Sequence, residues 1–140
     1  MRATDAALFS VLDADRQSVA GGSLGTLGVT GVFRRRKPAS VAADEPYLIF
    51  LLMADTDDYT LAARTHRRHP YFVECIDEGN SANRANDIMA RVDVLLNDAA
   101  LSISGRSTMY LRREQTIERD EEVSGVTYQR VGAVYSWWSQ

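Results

Sequence analysis

The strongest periodic signal in the chain runs from Ala82 to about Leu96. Ala85, Ile88, Met89, Val92, Leu95, Leu96 and Ala99 form one apolar stripe at helical spacing, with polar residues opposite, and Ser81 stands where an N-cap is expected. Before it, Tyr71–Asp77 alternates: Tyr71, Val73 and Cys75 share one face, Phe72, Glu74 and Ile76 the other. This predicts a strand, with Pro70 at its edge and Glu78–Ser81 as the joint to the helix. A second helix is predicted over residues 4–19 from Leu8, Val11, Leu12 and Val19. Thr4 caps it, Asp5 suits its positive dipole end, and Gly21-Gly22 ends it.

The other apolar runs read as strands. Val32–Arg36 is short and is broken by Lys37-Pro38. Tyr47–Met53 is the most hydrophobic stretch and predicts a central strand covered on both faces. Asp55–Asp58 reads as an acidic turn, and Tyr59–Arg64 fits either an extended arm or a helical turn. Ala100–Ser107 is a loop or a short strand. Met109–Arg119 and Val126–Trp138 are spaced for antiparallel pairing around a turn at Asp120-Glu121-Glu122, with Val131, Ala133, Tyr135 and Trp137 on one face of the second strand. The resulting order, α-β-β-β-α-β-β, predicts an α+β fold: a single mostly antiparallel sheet packed by two helices.

Composition narrows the class. At 140 residues, 45% hydrophobic and with a net charge of −3, residues 1–140 are expected to form one domain with a real core rather than a disordered or strongly basic chain. The single cysteine, Cys75, excludes a disulfide within the chain. Met1–Asp5 lacks the apolar core of a secretory leader, and the longest apolar run, Tyr47–Ala54, is too short to cross a membrane. A soluble intracellular protein is expected.

Candidate chemistry is sparse. The glycine-rich stretch from Ala20 to Gly31 lacks the Gly-Lys-Ser/Thr ending and the strand–helix context of a phosphate loop, and reads as a flexible surface loop. The run Arg34, Arg35, Arg36 and Lys37 fits a solvated edge strand protected by charge, or contact with DNA or an acidic partner. Asp55, Asp57 and Asp58 suggest a calcium loop but lack its remaining ligands. His66 and His69, flanking Arg67 and Arg68, have no zinc-ligand spacing and lead polar chain into the strand. Cys75 reads as a small buried apolar side chain. Paired carboxylates, Asp57-Asp58 and Glu121-Glu122, sit in predicted turns, where solvation explains them. No catalytic, metal or cofactor constellation emerges, so a non-enzymatic role is expected. Of Trp137 and Trp138, one is expected in the core and the other as an anchor for a partner.

In its order of features the chain resembles the tail terminator family of long-tailed phages and phage-like particles, also called tail completion or tail-to-head joining proteins. The features are the helix Asp5–Ala20, the glycine-bearing loop, Val32-Phe33-Arg34, Glu45-Pro46-Tyr47-Leu48-Ile49-Phe50, the strand Tyr71–Ile76 and the helix from Ser81. They continue through Asp120-Glu121-Glu122, Gly125–Arg130 and the closing Val134-Tyr135-Ser136-Trp137. The resemblance implies a ring of copies, a hexamer, that caps the tail tube, stops its polymerisation and joins it to the head-side connector or stopper protein. It also implies a place in the virion tail or neck after assembly in the host cytoplasm, with DNA passing through the lumen without sequence-specific binding. The implied partners are the chain itself, the tube protein and the connector, with no membrane and no cofactor. Candidate contacts are Arg34, Arg35, Arg36, Lys37, Asp57, Asp58, Arg67, Arg68, Trp137 and Trp138. The alternatives are a head-completion or connector neck protein, or a stand-alone ligand- or DNA-binding α+β module.

Overall fold

The computed structural model describes residues 2–41, 44–54, 56–59, 64–101, 103 and 108–139. Among these, α1 (Ala3–Gln17), β1 (Val32–Arg34), β2 (Tyr47–Leu52), β3 (Thr56–Tyr59), β4 (Arg64–Glu78), α2 (Asn83–Leu96), β5 (Thr108–Val123) and β6 (Val126–Ser139) follow one another. The strands form one sheet in the order β1-β2-β4-β6-β5, with β3 pairing to β4 beyond the end of β2. β1 runs parallel to β2, and all other pairs are antiparallel. The expected α+β architecture is therefore present. One short strand, β3, takes in residues 56–58, where the acidic run reads as a turn.

Strand alternation sorts the core. Leu48, Phe50, Tyr71, Val73, Cys75, Val131, Ala133, Tyr135 and Trp137 point to the face on which both helices lie. There they meet Leu8 and Leu12 of α1 and Ala85, Ile88, Val92 and Leu96 of α2 in one cluster. Each fully buried aliphatic or aromatic side chain stabilises by about 1.5–3 kcal/mol. Among the described residues, the opposite face carries no helix. β2 is thus central in the sheet but roofed on one side, not both, and Ile49 on the open side is buried by its neighbours on the sheet.

Boundaries moved for local reasons. Pro70 is interior to β4 rather than at its edge. Its carbonyl accepts from Met53 N–H at 2.9 Å, so the position of its missing donor faces the interruption between β2 and β3, where no ladder bond is lost. β5 continues through Asp120-Glu121-Glu122. The reversal falls instead on Ser124 and Gly125, at φ 54° and 80°, the two positive values that a type I′ hairpin turn demands. Val123 then pairs with Val126. Thr4 lies inside α1 and does not cap it, and Val19 lies beyond its end and is exposed. α2 begins at Asn83, whose N–H donates to Ser81 Oγ at 3.3 Å. The glycine-rich stretch is pinned rather than flexible: Ser23, Leu24 and Val29 are buried, and Leu24 N–H donates to Asp15 Oδ2 at 2.8 Å.

Candidate functional site

Buried polar groups act first as joints. Asp5, in the first turn of α1, accepts from the Tyr71 hydroxyl at 2.5 Å and pairs with Arg34 Nε at 2.7 Å. The Tyr71 hydroxyl also lies 2.7 Å from that of Thr4, within hydrogen-bond distance. This ties α1, β1 and β4 together. Asp15 binds Arg91 of α2 through both oxygens, at 2.7 and 3.0 Å, and these bonds hold its carboxyl below the ordinary value against the effect of burial. Asp77, at the end of β4, grips Arg84 in the first turn of α2 at 2.6 and 2.9 Å. Tyr135 donates to Asp93 at 3.1 Å, and burial, then the Asp93 charge, raises its pKa.

None of these groups is arranged as a nucleophile with a base. Burial pushes the Cys75 thiol up to about 12, so it stays protonated and packs as an apolar side chain. Among the described residues no group of three or more His, Cys, Asp or Glu gathers as a metal site would require. His69 is buried edge-on against Trp137, with ring centres 6.5 Å apart. It lines the core rather than a polar approach to the strand.

The surfaces carry more than the interior. On the open face, β2, β4, β6 and β5 present Leu51, Phe72, Val134 and Ile117, which with Met53 and Arg119 line a recess of about 320 Å³. Beside it lies Glu74, almost fully buried, held by Arg130 at 2.7 Å with Arg119 at 3.7 Å. Arg130 in turn reaches Glu121 at 2.7 Å. Gly132 lies under the Phe72 ring, and a Cβ there would come within 2.7 Å of it.

The two edges of the sheet differ in charge. At the β1 edge, Arg2, Arg34 and Arg35 line a recess of about 210 Å³ with Leu52, Met53 and Ala54. The chain leaves β1 through a γ-turn in which Arg36 N–H donates to the Arg34 carbonyl at 2.9 Å, with Arg35 at φ 68°, a strained conformation for a side-chain-bearing residue. At the β5 edge, Glu118, Asp120 and Glu122 fall on one face of the strand and are exposed.

The expected contact residues are dispersed by this arrangement. Arg34 is held by Asp5. Lys37 is half-buried, its ammonium 5.3 Å from the Tyr47 ring centre. Arg35 and Arg36 are exposed. Asp57 and Asp58 are strand residues of β3, opposite Arg67 and His66 of β4, while Asp55 lies outside the described residues. Arg68 sits over the Trp138 ring at 5.6 Å, donates to Ser136 Oγ and pairs with Glu114. Trp137 is fully buried and is corrected from candidate contact to core, since its strand parity faces the helices. Trp138, of opposite parity, is half-buried on the open face. Sequence reasoning misses the acidic stripe of β5, because Asp120 and Glu122 read as a turn. The available signal was that they continue the alternation begun by Glu118.

Comparison with known proteins adds a fold. No family model and no curated protein matches this sequence. Among solved structures, a chain from the virion of a native gene transfer agent particle is similar over 96% of this chain and 92% of its own length, with a TM-score of 0.76 and 21% identity. A second solved chain is similar over 99% of this one and 94% of its own, with a TM-score of 0.62 and 13% identity. The shared property is the whole fold, helices and sheet together.

Proposed function

We propose that this chain is a non-enzymatic structural protein of a phage-like virion, forming a ring that caps the tail tube, stops its polymerisation and joins the tail to the head-side connector. One observation carries the reading: the near end-to-end fold similarity to a chain of a gene transfer agent virion, in the same order of elements that suggests a tail terminator from sequence. The site chemistry agrees, because the buried ionisable groups serve as joints between elements and the distinctive features are surfaces. In a ring, identical head-to-tail contacts close on themselves. Several modest contacts then engage the tube together, and avidity holds the joint. One end resembles a tube subunit and docks. The other does not, so growth stops. DNA passes through the lumen without sequence-specific binding, consistent with a net charge of −3.

The test is removal of this protein from a particle-producing cell, followed by electron microscopy of the tails. Tails of uncontrolled length that fail to join heads are expected. Tails of normal length on unjoined particles would replace this reading with that of a head-side neck protein.

A further inference from the structure

β5 ends the strand order, and only the start of its outer side is closed by its own chain. Leu111 N–H donates to the Ala99 carbonyl at 3.0 Å, and the Leu111 carbonyl accepts from Asp98 N–H at 2.7 Å. Arg113 N–H donates to Asn97 Oδ1 at 3.0 Å. Past the irregularity between Arg113 and Gln115, no strand pairs with that side among the described residues. The hairpin fixes which backbone groups face out there. Across a two-residue turn the flanking pair, Val123 and Val126, exchanges both hydrogen bonds, and so does every second pair after it: Glu121–Tyr128, Arg119–Arg130, Ile117–Gly132 and Gln115–Val134. Thr116, Glu118, Asp120 and Glu122 therefore turn their N–H and C=O groups outward, along about 20 Å of strand. The bond from Gly79 N–H to the Thr127 carbonyl, on the far side of β6, fits the same phase. These four side chains are exposed on one side of β5, and Glu118, Asp120 and Glu122 have no cationic partner among the described residues.

We propose that the β5 edge from Thr116 to Glu122 takes up an extended segment of another protein, one that carries lysine or arginine at alternate positions. The inference rests on the reading of this chain as an assembly protein and adds the chemistry of one partner. The outward N–H and C=O groups supply the ladder, and ladder bonds are indifferent to side chains. The side chains select the strand. In an antiparallel pair, residues directly opposite stand about 5 Å apart, where opposite charges stabilise and like charges destabilise. Glu118, Asp120 and Glu122 thus call for cations at positions i, i+2 and i+4 of the incoming strand. The same stripe argues against a second copy of this chain. Pairing β5 with β5 would set carboxylates against carboxylates. The other outer strand, β1, has three residues, of which Val32 is buried and Arg34 is bound to Asp5, so it offers no row of free cations. Nucleic acid is repelled by the stripe.

The experiment titrates the full chain with a synthetic peptide of alternating lysine and threonine, and with a control of the same composition whose lysines are adjacent. Amide hydrogen exchange, read residue by residue by NMR, is the signal. The alternating peptide is expected to slow exchange at Thr116, Glu118, Asp120 and Glu122 and to leave Ile117, Arg119 and Glu121, already bonded to β6, unchanged. Glu118→Lys with Asp120→Lys and Glu122→Lys should weaken binding by about tenfold or more at low salt, and salt should weaken it in the native chain. Asp120→Pro removes an outward donor without touching the ladder to β6 and should abolish the protection. Thermal denaturation checks that each variant folds. If the proline variant does not, the alternating peptide with N-methylated backbone amides makes the same test on the native chain and should fail to bind. Equal binding of both peptides, protection that survives the proline or the N-methyl groups, or no binding at all would overturn the proposal. So would a native chain that protects these four amides by self-association alone, which would make a second copy the occupant. None of these results bears on tail length in cells lacking the protein, so this contact and the terminator reading stand or fall separately.

Discussion

The two faces of the sheet use the same alternating strands and are finished differently. On the helix-bearing face, Tyr71, Tyr135 and Trp137 are fully buried, and two of them direct their hydroxyls to carboxylates on the helices. On the open face, Phe33, Tyr47, Leu51 and Phe72 are half-buried, and the buried charge of Glu74 is answered from within the sheet by Arg130. Helices supply both apolar cover and polar partners. Without them, a sheet face must neutralise its own charges and leaves aromatic surface partly wet.

The comparison can be broken at its strongest point first. Trp137→Ala should cost about 3–5 kcal/mol, because it opens a large cavity in the helix-facing core. Trp138→Ala, one residue away but on the open face, should cost about 1 kcal/mol. Urea denaturation of the two variants measures the difference, and equal losses would contradict the asymmetry. Next, Arg130→Met leaves Glu74 buried beside the more distant Arg119, with an expected loss of about 3 kcal/mol. Changing Glu74→Gln in the same chain should recover part of it, again by denaturation.

A smaller effect probes the joint between helices. Asp15→Asn should cost about 1 kcal/mol at neutral pH. The Asp15 carboxyl is held below its ordinary value of 3.8 by Arg91. Its contribution is therefore complete above that value and is lost as pH falls through the lower folded value. The stability gap between native and variant chains should close in strong acid, as a denaturant series across pH would show. Smallest of all, Arg36→Ala should leave stability within about 0.5 kcal/mol, since this exposed side chain belongs to an edge and not to the core.

Much of the fold was legible because periodicity is a local property. The stripe of α2 and the parity of Tyr71, Val73 and Cys75 are the core as built. Trp137 shares the helix-facing parity of Val131, and the structure, not the sequence reading, showed which of the two tryptophans is core. Turn placement was less legible. Asp120-Glu121-Glu122 looks like a turn in isolation, yet an exposed edge strand tolerates charge, and the hairpin reversal went to Ser124-Gly125, where positive φ is tolerated. The glycine-rich stretch looked loose because the hydrogen bond from Leu24 to Asp15 spans nine positions and leaves no periodic trace.

The contact surfaces divide in the same way. Sequence alone determined that Arg34–Lys37 is a basic segment at a strand end, that Cys75 is a core side chain and that the element order is that of a two-helix, one-sheet domain. These follow from alternation, composition and breakers, which act over a few residues. Only the tertiary structure decided that Arg34 is bound to Asp5, that Arg68 is held by Ser136 and Glu114, and that Glu118, Asp120 and Glu122 lie on the edge strand farthest from the arginines of β1. Those outcomes depend on which strands become neighbours and in what register, and register is fixed by burying one whole face of the sheet at once.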